Sequence, residues 1–255
     1  MPRFFIKLSY LGNAYNGWQK QKNSTQTVQQ CIESALQTVL REQLLLTGCG
    51  RTDTGVHARN YWAHFDCNNT ALKTHCSAIV HKLNAVLPKS IVIHSIYNVL
   101  DTAHARFDAL SRSYEYLIIR KPDPFYHSRA WFIHGELDTH AMHQATTQLI
   151  GKQDFKSFCK SHGQQKTTLC SVSSAVWDFS NPDLWTFTIS ANRFLRGMVR
   201  GLVGTLVQIG QHKRPDSDML RILQAADRRI SGPQAPAEGL YFTGAEYSKT
   251  LFIEK

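Results

Sequence analysis

No stretch of this sequence approaches the roughly 18 to 20 consecutive apolar residues that span a bilayer. Its opening residues, MPRFFIKLSY, lack the apolar stretch of a secretory signal. Both absences argue against a membrane or secreted protein and lead us to expect a cytoplasmic one. The six cysteines, Cys31, Cys49, Cys67, Cys76, Cys159 and Cys170, form no C-x-x-C pair and no dense framework, so they read as reduced thiols. H-E-x-x-H, G-x-x-x-x-G-K-[ST], G-x-S-x-G and zinc-like Cys and His spacing are all missing. Metalloprotease, P-loop and α/β-hydrolase chemistry are thereby set aside, and neither a metal nor a cofactor is expected. Acids are also scarce: 19 Asp and Glu stand against 29 Lys and Arg, for a formal charge of +10. A polyanionic partner is the natural expectation.

What is present suits a globular chain of one large domain or two ordinary ones, with 255 residues of which 42% are hydrophobic. RFFIKLSY (Arg3 to Tyr10) alternates like a strand. Thr27 and Gln30 form a capping box ahead of Val28, Cys31, Ile32, Ala35, Leu36 and Val39, which recur at helical spacing. LLLTGCG and YWAHFDC read as strands, CSAIVHKLNAVL as a helix closed by Pro88, and IVIHSIYNV as a strand. The succession then repeats: strand RSYEYLIIR, a helix near Asp138 to Ile150, strands SSAVWDF and LWTFTIS, and a helix from Arg193 to Ile209. A further helix near Asp218 to Arg228 precedes a strand at Leu240 to Tyr247. This order predicts an α+β protein of two tandem ferredoxin-like (β-α-β-β-α-β) halves. We expect residues 1–105 and 106–255 to be the two domains, their antiparallel sheets side by side around a central cleft.

One stretch, GCGRTDTGVHARN (Gly48 to Asn60), carries a single acid, Asp53, among glycines, two arginines and a histidine. As a dinucleotide fingerprint it fails, because Asp53 stands where the third glycine belongs and would repel a pyrophosphate. An Asp that merely stabilises its turn through an Asx hydrogen bond is the plain alternative. Against that, Arg51 and Arg59 favour the charged form of a nearby carboxylate, and an oriented carboxylate in a small-residue loop is able to act as nucleophile or base. His57 and His64 are read as packing or surface residues rather than ligands.

The loop, together with GWQKQ (Gly17 to Gln21), TVQ (Thr27 to Gln29), HARFDA (His104 to Ala109), RSYEY (Arg112 to Tyr116), RFLRGMVRGLVG (Arg193 to Gly204) and APAEGLY (Ala235 to Tyr241), closely resembles the tRNA pseudouridine synthases of the A type. The resemblance implies that Asp53 is the catalytic aspartate and that Tyr114 stacks against the target uracil. It makes Arg51 the arginine accompanying the acid and Leu240 the apolar residue packing near it, and it leaves Arg200 as a substrate contact. It further implies two ferredoxin-like domains, a homodimer, no cofactor, and isomerisation of uridine to pseudouridine at positions 38, 39 and 40 in the anticodon stem and loop of tRNA. Similar enzymes often carry two histidines where this chain has Arg196 and Gly197.

The residues suit that chemistry. Isomerisation adds and removes nothing, and the uracil must leave its stack for a pocket with an aromatic face. Whether Asp53 attacks as a nucleophile or abstracts a proton is left open by the sequence. Arg193, Arg196 and Arg200, at i, i+3 and i+7 of the expected helix, would share one face without intervening acids and bind phosphates. Lys20, Lys22, Arg106 and Arg112 extend that patch. Two rivals are an RNA-binding module, whose aromatic signature is absent, and a glycoside hydrolase, which usually needs two carboxylates.

Overall fold

The computed structural model describes residues 1–21, 26–69, 71–160 and 167–253. It is a mixed α+β protein whose chain forms two compact units, Met1–Ser111 with Phe242–Lys255, and Arg112–Tyr241.

In the first unit the chain runs β1 (Arg3–Tyr10), α1 (Val28–Leu40), β2 (Thr47–Gly48), β3 (His57–Asp66), α2 (Ala71–Thr74), α3 (Cys76–Val86) and β4 (Ile91–Val99). The strands lie in the order β4, β1, β3, β2, each antiparallel to its neighbour. On β1 the residues Phe4, Ile6, Leu8 and Tyr10 alternate on one face and are buried, because period-2 spacing puts all four toward the same layer. Thr27 caps α1, its side chain accepting from the Gln30 N–H, as the sequence predicts. The buried stripe Val28, Ile32, Ala35, Leu36 and Leu40 follows from the helical repeat. Burial of such residues contributes on the order of 1.5 to 3 kcal/mol each. On the opposite face of β1, Phe5 is covered by an aromatic group in which Trp62, Tyr247 and Phe252 lie at ring distances of 6.3, 5.2 and 6.0 Å.

That covering comes from the far end of the sequence. The final strand starts in the second unit, and from Phe242 onward the chain rejoins the first, where Ile253 N–H reaches Asn98 O at 3.0 Å and Leu100 N–H reaches Leu251 O at 3.0 Å. The division therefore departs from the expected split at 105, since the residues after 241 complete the unit that carries Asp53.

The second unit contains β5 (Ser111–Ile119), β6 (Trp131–Phe132), α4 (Thr139–Thr147), β7 (Gly151–Asp154), β8 (Leu169–Asp178), β9 (Leu184–Ala191), α5 (Met198–Gly210), α6 (Asp218–Ala225) and the start of β10 (Leu240–Glu246). Strands β5, β9, β8 and β7 are neighbours in that order and antiparallel, with Tyr116 opposite Phe187 and Trp177 opposite Phe187 on its other side. Short β6 pairs parallel to β5. Asp138 caps α4, accepting from Ala141 N–H at 2.9 Å.

One expectation fails here. The helix does not begin at Arg193 but at Met198, because Gly197 has a φ of 73°, a left-handed conformation that a right-handed helix cannot contain. Arg193 and Arg196 thus lie on the preceding loop, and the i, i+3, i+7 face is not formed. Three elements, α2, β6 and β7, were not anticipated, and β2 is a two-residue strand where a longer one was expected.

Candidate active site

Asp53 sits half-buried on a turn closed by Val56 N–H to Asp53 O at 3.2 Å. Gly55 takes a φ of 81° at the third position of this turn, which is why a glycine stands there. The turn is braced from several sides. Trp18 N–H donates to Thr52 O at 3.2 Å, and the Tyr10 and Thr52 hydroxyls are 2.8 Å apart. Gly12 N–H donates to His57 Nδ1 at 2.9 Å. Gly17, at φ 83°, lies so close that an added Cβ would stand 2.6 Å from Thr52 O. Below the turn, Trp18 and Tyr61 pack with ring centroids 4.0 Å apart, and Tyr61 O–H donates to Gly50 O at 2.5 Å. The half of the GCG motif that matters sterically is Gly48, whose Cβ would collide with the Tyr61 hydroxyl and Trp18 indole.

A cavity of about 250 Å³ is lined by Gln19, Gln29, Gly48, Gly50, Arg51 and Arg106, among others. Arg51 and Arg106, two residues singled out from the sequence, are thereby brought together. The exposed Arg51 donates through Nε to Gln19 Oε1 at 3.3 Å. Gln19 in turn donates to Gln29 Oε1 at 3.0 Å, and Gln29 donates to Glu33 Oε1 and Leu46 O, both at 2.9 Å. Buried Glu33 also accepts from Leu46 N–H at 3.0 Å. This relay ties the arginine to α1 and explains the polar Gln29 and Glu33 on its buried side, since buried polar groups need partners. Lys20 is 3.5 Å from Glu33 Oε2, so its charge is compensated within the fold. Lys22 lies outside the described residues.

In the second unit Tyr114 is buried on β5 opposite Ile189, its ring edge-on to Phe194 at 5.0 Å. Arg200, in the first turn of α5, donates from Nε to Ala235 O at 2.7 Å while its own carbonyl accepts from Ala235 N–H at 3.0 Å. Leu240 is buried at the start of β10. The APAEGLY segment is fitted against Tyr116, which donates to Pro236 O at 2.9 Å and would touch any Cβ on Gly239. Burial drives the Tyr116 phenol well above its ordinary range, the Arg200 charge opposing and Glu238 adding to the shift. Arg112 donates to Asn192 O at 2.9 Å, and Arg196 is exposed.

Gly12, Tyr10 and His57 as braces escaped the sequence reading. Their one signal was position, one strand pairing or loop away from Asp53. Both histidines of β3 pack as expected: His57 accepts from Gly12, and His64, 5% exposed, accepts from Ala105 N–H at Nδ1, 3.1 Å away. Burial, with the Arg3 and His104 charges alongside, holds His64 down to about 4 from its ordinary 6.5. The folded value lies below the unfolded one, so the stabilisation is complete above pH 6.5 and is lost as pH falls toward 4. We expect the chain to lose on the order of 2 to 3 kcal/mol over that window through this group. Denaturant titrations from pH 7 to 4 check it: His64→Gln should remove most of this pH dependence, and an unchanged slope would assign it elsewhere.

Asp53 is thus held on a glycine-braced turn, two residues along the chain from Arg51, which with Arg106 lines the cavity. Residues 145–248 match the family model described as tRNA pseudouridine synthase, which puts the chain in the class of RNA-modifying isomerases. It is 41% identical over 252 residues to tRNA pseudouridine synthase A of Parabacteroides distasonis, covering 99% of this chain and 98% of that protein. The match to the Bordetella petrii protein of the same name is 41% over 252 residues, covering 97% and 92%. That to the Chlorobaculum tepidum one is 35% over 243 residues, covering 95% and 96%. The chain belongs to the tRNA pseudouridine synthase A family.

Proposed function

We propose that this enzyme converts uridine to pseudouridine at positions 38, 39 and 40 in the anticodon stem and loop of tRNA, using Asp53 and no cofactor. The observation that carries the reading is the seating of Asp53, half-buried on a turn fixed by Gly12, Gly17 and Trp18 and two residues along the chain from Arg51, which with Arg106 lines a cavity. A reacting carboxylate has to be oriented before its substrate arrives, and a braced turn does that. The strand order β4, β1, β3, β2, with α1 and α3 as the intervening helices, supports a ferredoxin-like first half. The order β5, β9, β8 supports the same plan for the second.

The uridine base leaves its stack at a cost of a few kcal/mol. Tyr114, backed by Phe194, offers the uracil an aromatic face, and Leu240 packs alongside. Asp53 then serves as nucleophile or as base, and both acts use the carboxylate anion. The glycosidic bond from N1 is broken, the uracil turns, and its C5 is joined to C1′ of the ribose while the C5 proton is released and N1 gains one. Arg51 and Arg106 meet the phosphates flanking the flipped nucleotide. The working form is a homodimer in the cytoplasm; among the described residues no helix is long and apolar enough to cross a membrane.

Incubation with tRNA tritiated at C5 of uridine tests this. Tritium released from an intact strand is the expected result, whereas free uracil would indicate a hydrolase and no release a binding module. Arg193 and Arg196, on the loop ahead of α5, are assigned to phosphate contacts, while Arg200 is left out because its Nε is committed to Ala235 O. Changing Arg193 and Arg196 to Ala together should weaken tRNA binding and lower the slope of log K against log salt by up to about 1.5. An unchanged slope would return both to a solvated surface.

A further inference from the structure

We propose that Phe107 is a stacking platform for an unstacked base of the tRNA next to the target uridine; the inference rests on the RNA-modifying reading above. Phe107 belongs to the loop between β4 and β5, and that loop is pinned along its length. Arg3, which clamps Asp66 at 2.7 and 2.8 Å, also donates to Ala103 O at 2.9 Å. Ala105 is held from both sides, its N–H on His64 Nδ1 at 3.1 Å and its carbonyl accepting from Tyr247 O–H at 2.6 Å. His104 N–H donates to Asp108 Oδ2 at 2.7 Å, and Asp108 N–H returns to His104 O at 3.0 Å. His104 Nδ1 accepts from the N–H groups of both Arg106 and Phe107, at 3.1 and 3.3 Å. Ala103 and Ala105 are fully buried beneath.

From this fixed base the Phe107 ring projects 74% exposed. A lone exposed apolar side chain is ordinary on a protein surface, and Phe125 is more exposed still, at 82%. What distinguishes Phe107 is its company. The His104 ring stands 4.2 Å away on one side, and the Arg106 guanidinium lies 5.7 Å from the ring centroid. Arg106 itself lines the cavity it shares with Arg51, two residues from Asp53. An aromatic surface on a pinned loop, flanked by a cation that itself lines the cavity shared with Arg51, fits a nucleotide, whose base presents a π-face and whose phosphate presents charge. An acidic or apolar protein partner would use only one of those features.

Phe107→Ala, Phe107→Leu and Phe107→Tyr in the full-length chain test the assignment. The probe is an anticodon stem-loop RNA carrying 2-aminopurine at the nucleotide on either side of the target uridine. We expect Ala and Leu to weaken RNA binding about tenfold and to relieve the quenching of one of the two probes. Tyr should retain both, since it keeps the ring. Thermal unfolding should be unchanged because the ring is exposed. Parent-like affinity and quenching in the Ala and Leu variants would overturn the proposal. So would a change in oligomeric state with unchanged RNA affinity, which would make the ring a subunit contact. A parent that releases no tritium would sink the isomerase reading alone, whereas loss of quenching in the Ala variant would still support Phe107 as a base platform.

Discussion

Asp53→Asn is expected to lower the rate of tritium release by at least about 10⁴-fold while leaving tRNA affinity within about tenfold. The size of the loss follows from removing either a nucleophile or a base. The small effect on affinity follows from the structure of the turn. Its geometry is set by backbone bonds, from Val56 N–H to Asp53 O and from Trp18 N–H to Thr52 O, which the substitution does not touch. Asn also occupies almost the same volume as Asp. Measured by single-turnover tritium release and by filter binding of the same tRNA, a near-normal rate in the variant would take Asp53 out of the mechanism. A large fall in affinity would instead make it a binding residue.

Gly12→Ala should be nearly as damaging by a different route. Its added Cβ would stand 2.0 Å from Val56 O and 2.5 Å from Val56 C, both backbone atoms of the Asp53 turn. No rotamer change relieves such a contact, so the turn or β1 has to move, at a cost of about 3 kcal/mol. The shift also stretches the bond from Gly12 N–H to His57 Nδ1, now 2.9 Å. Misplacing a reacting group by about 1 Å costs on the order of 100-fold in rate, so a loss of that order in kcat should accompany the fall in stability. Denaturant unfolding with single-turnover kinetics checks both. A variant as stable and as active as the parent would show that the turn is not braced from this side.

The elements β1, α1, α3 and β4 of the first unit were legible because local signals carry them: period-2 alternation in β1 and β4, the Thr27 cap, and Pro88 after α3. The start of α5 was not. Leu195, Met198, Val199 and Leu202 keep a helical apolar spacing through Gly197, and only the left-handed φ at that glycine, fixed by Gln234 packing on it, interrupts the helix. A tertiary contact thus overrode the periodicity. Asp53 and Arg51 could be found as charge in a glycine-rich loop, and Arg106 as a basic residue extending the expected RNA-binding patch. The braces could not, because Gly12 and His57 lie 41 and 4 residues from Asp53 and meet it through strand pairing rather than sequence. Arg200 illustrates the converse: its positive charge suggested a phosphate contact, and its place beside Ala235 gives part of the guanidinium a structural task.

The return of the chain to its first unit bears on how the protein is made. While it emerges from the ribosome, the segment that holds Asp53 is synthesised early, yet the Phe5 side of its sheet waits for Tyr247 and Phe252. The part of the enzyme that is born first is therefore finished last. Until translation has passed those aromatics, the nascent chain carries Phe5, Trp62 and Tyr97 uncovered, a surface for a chaperone to shield.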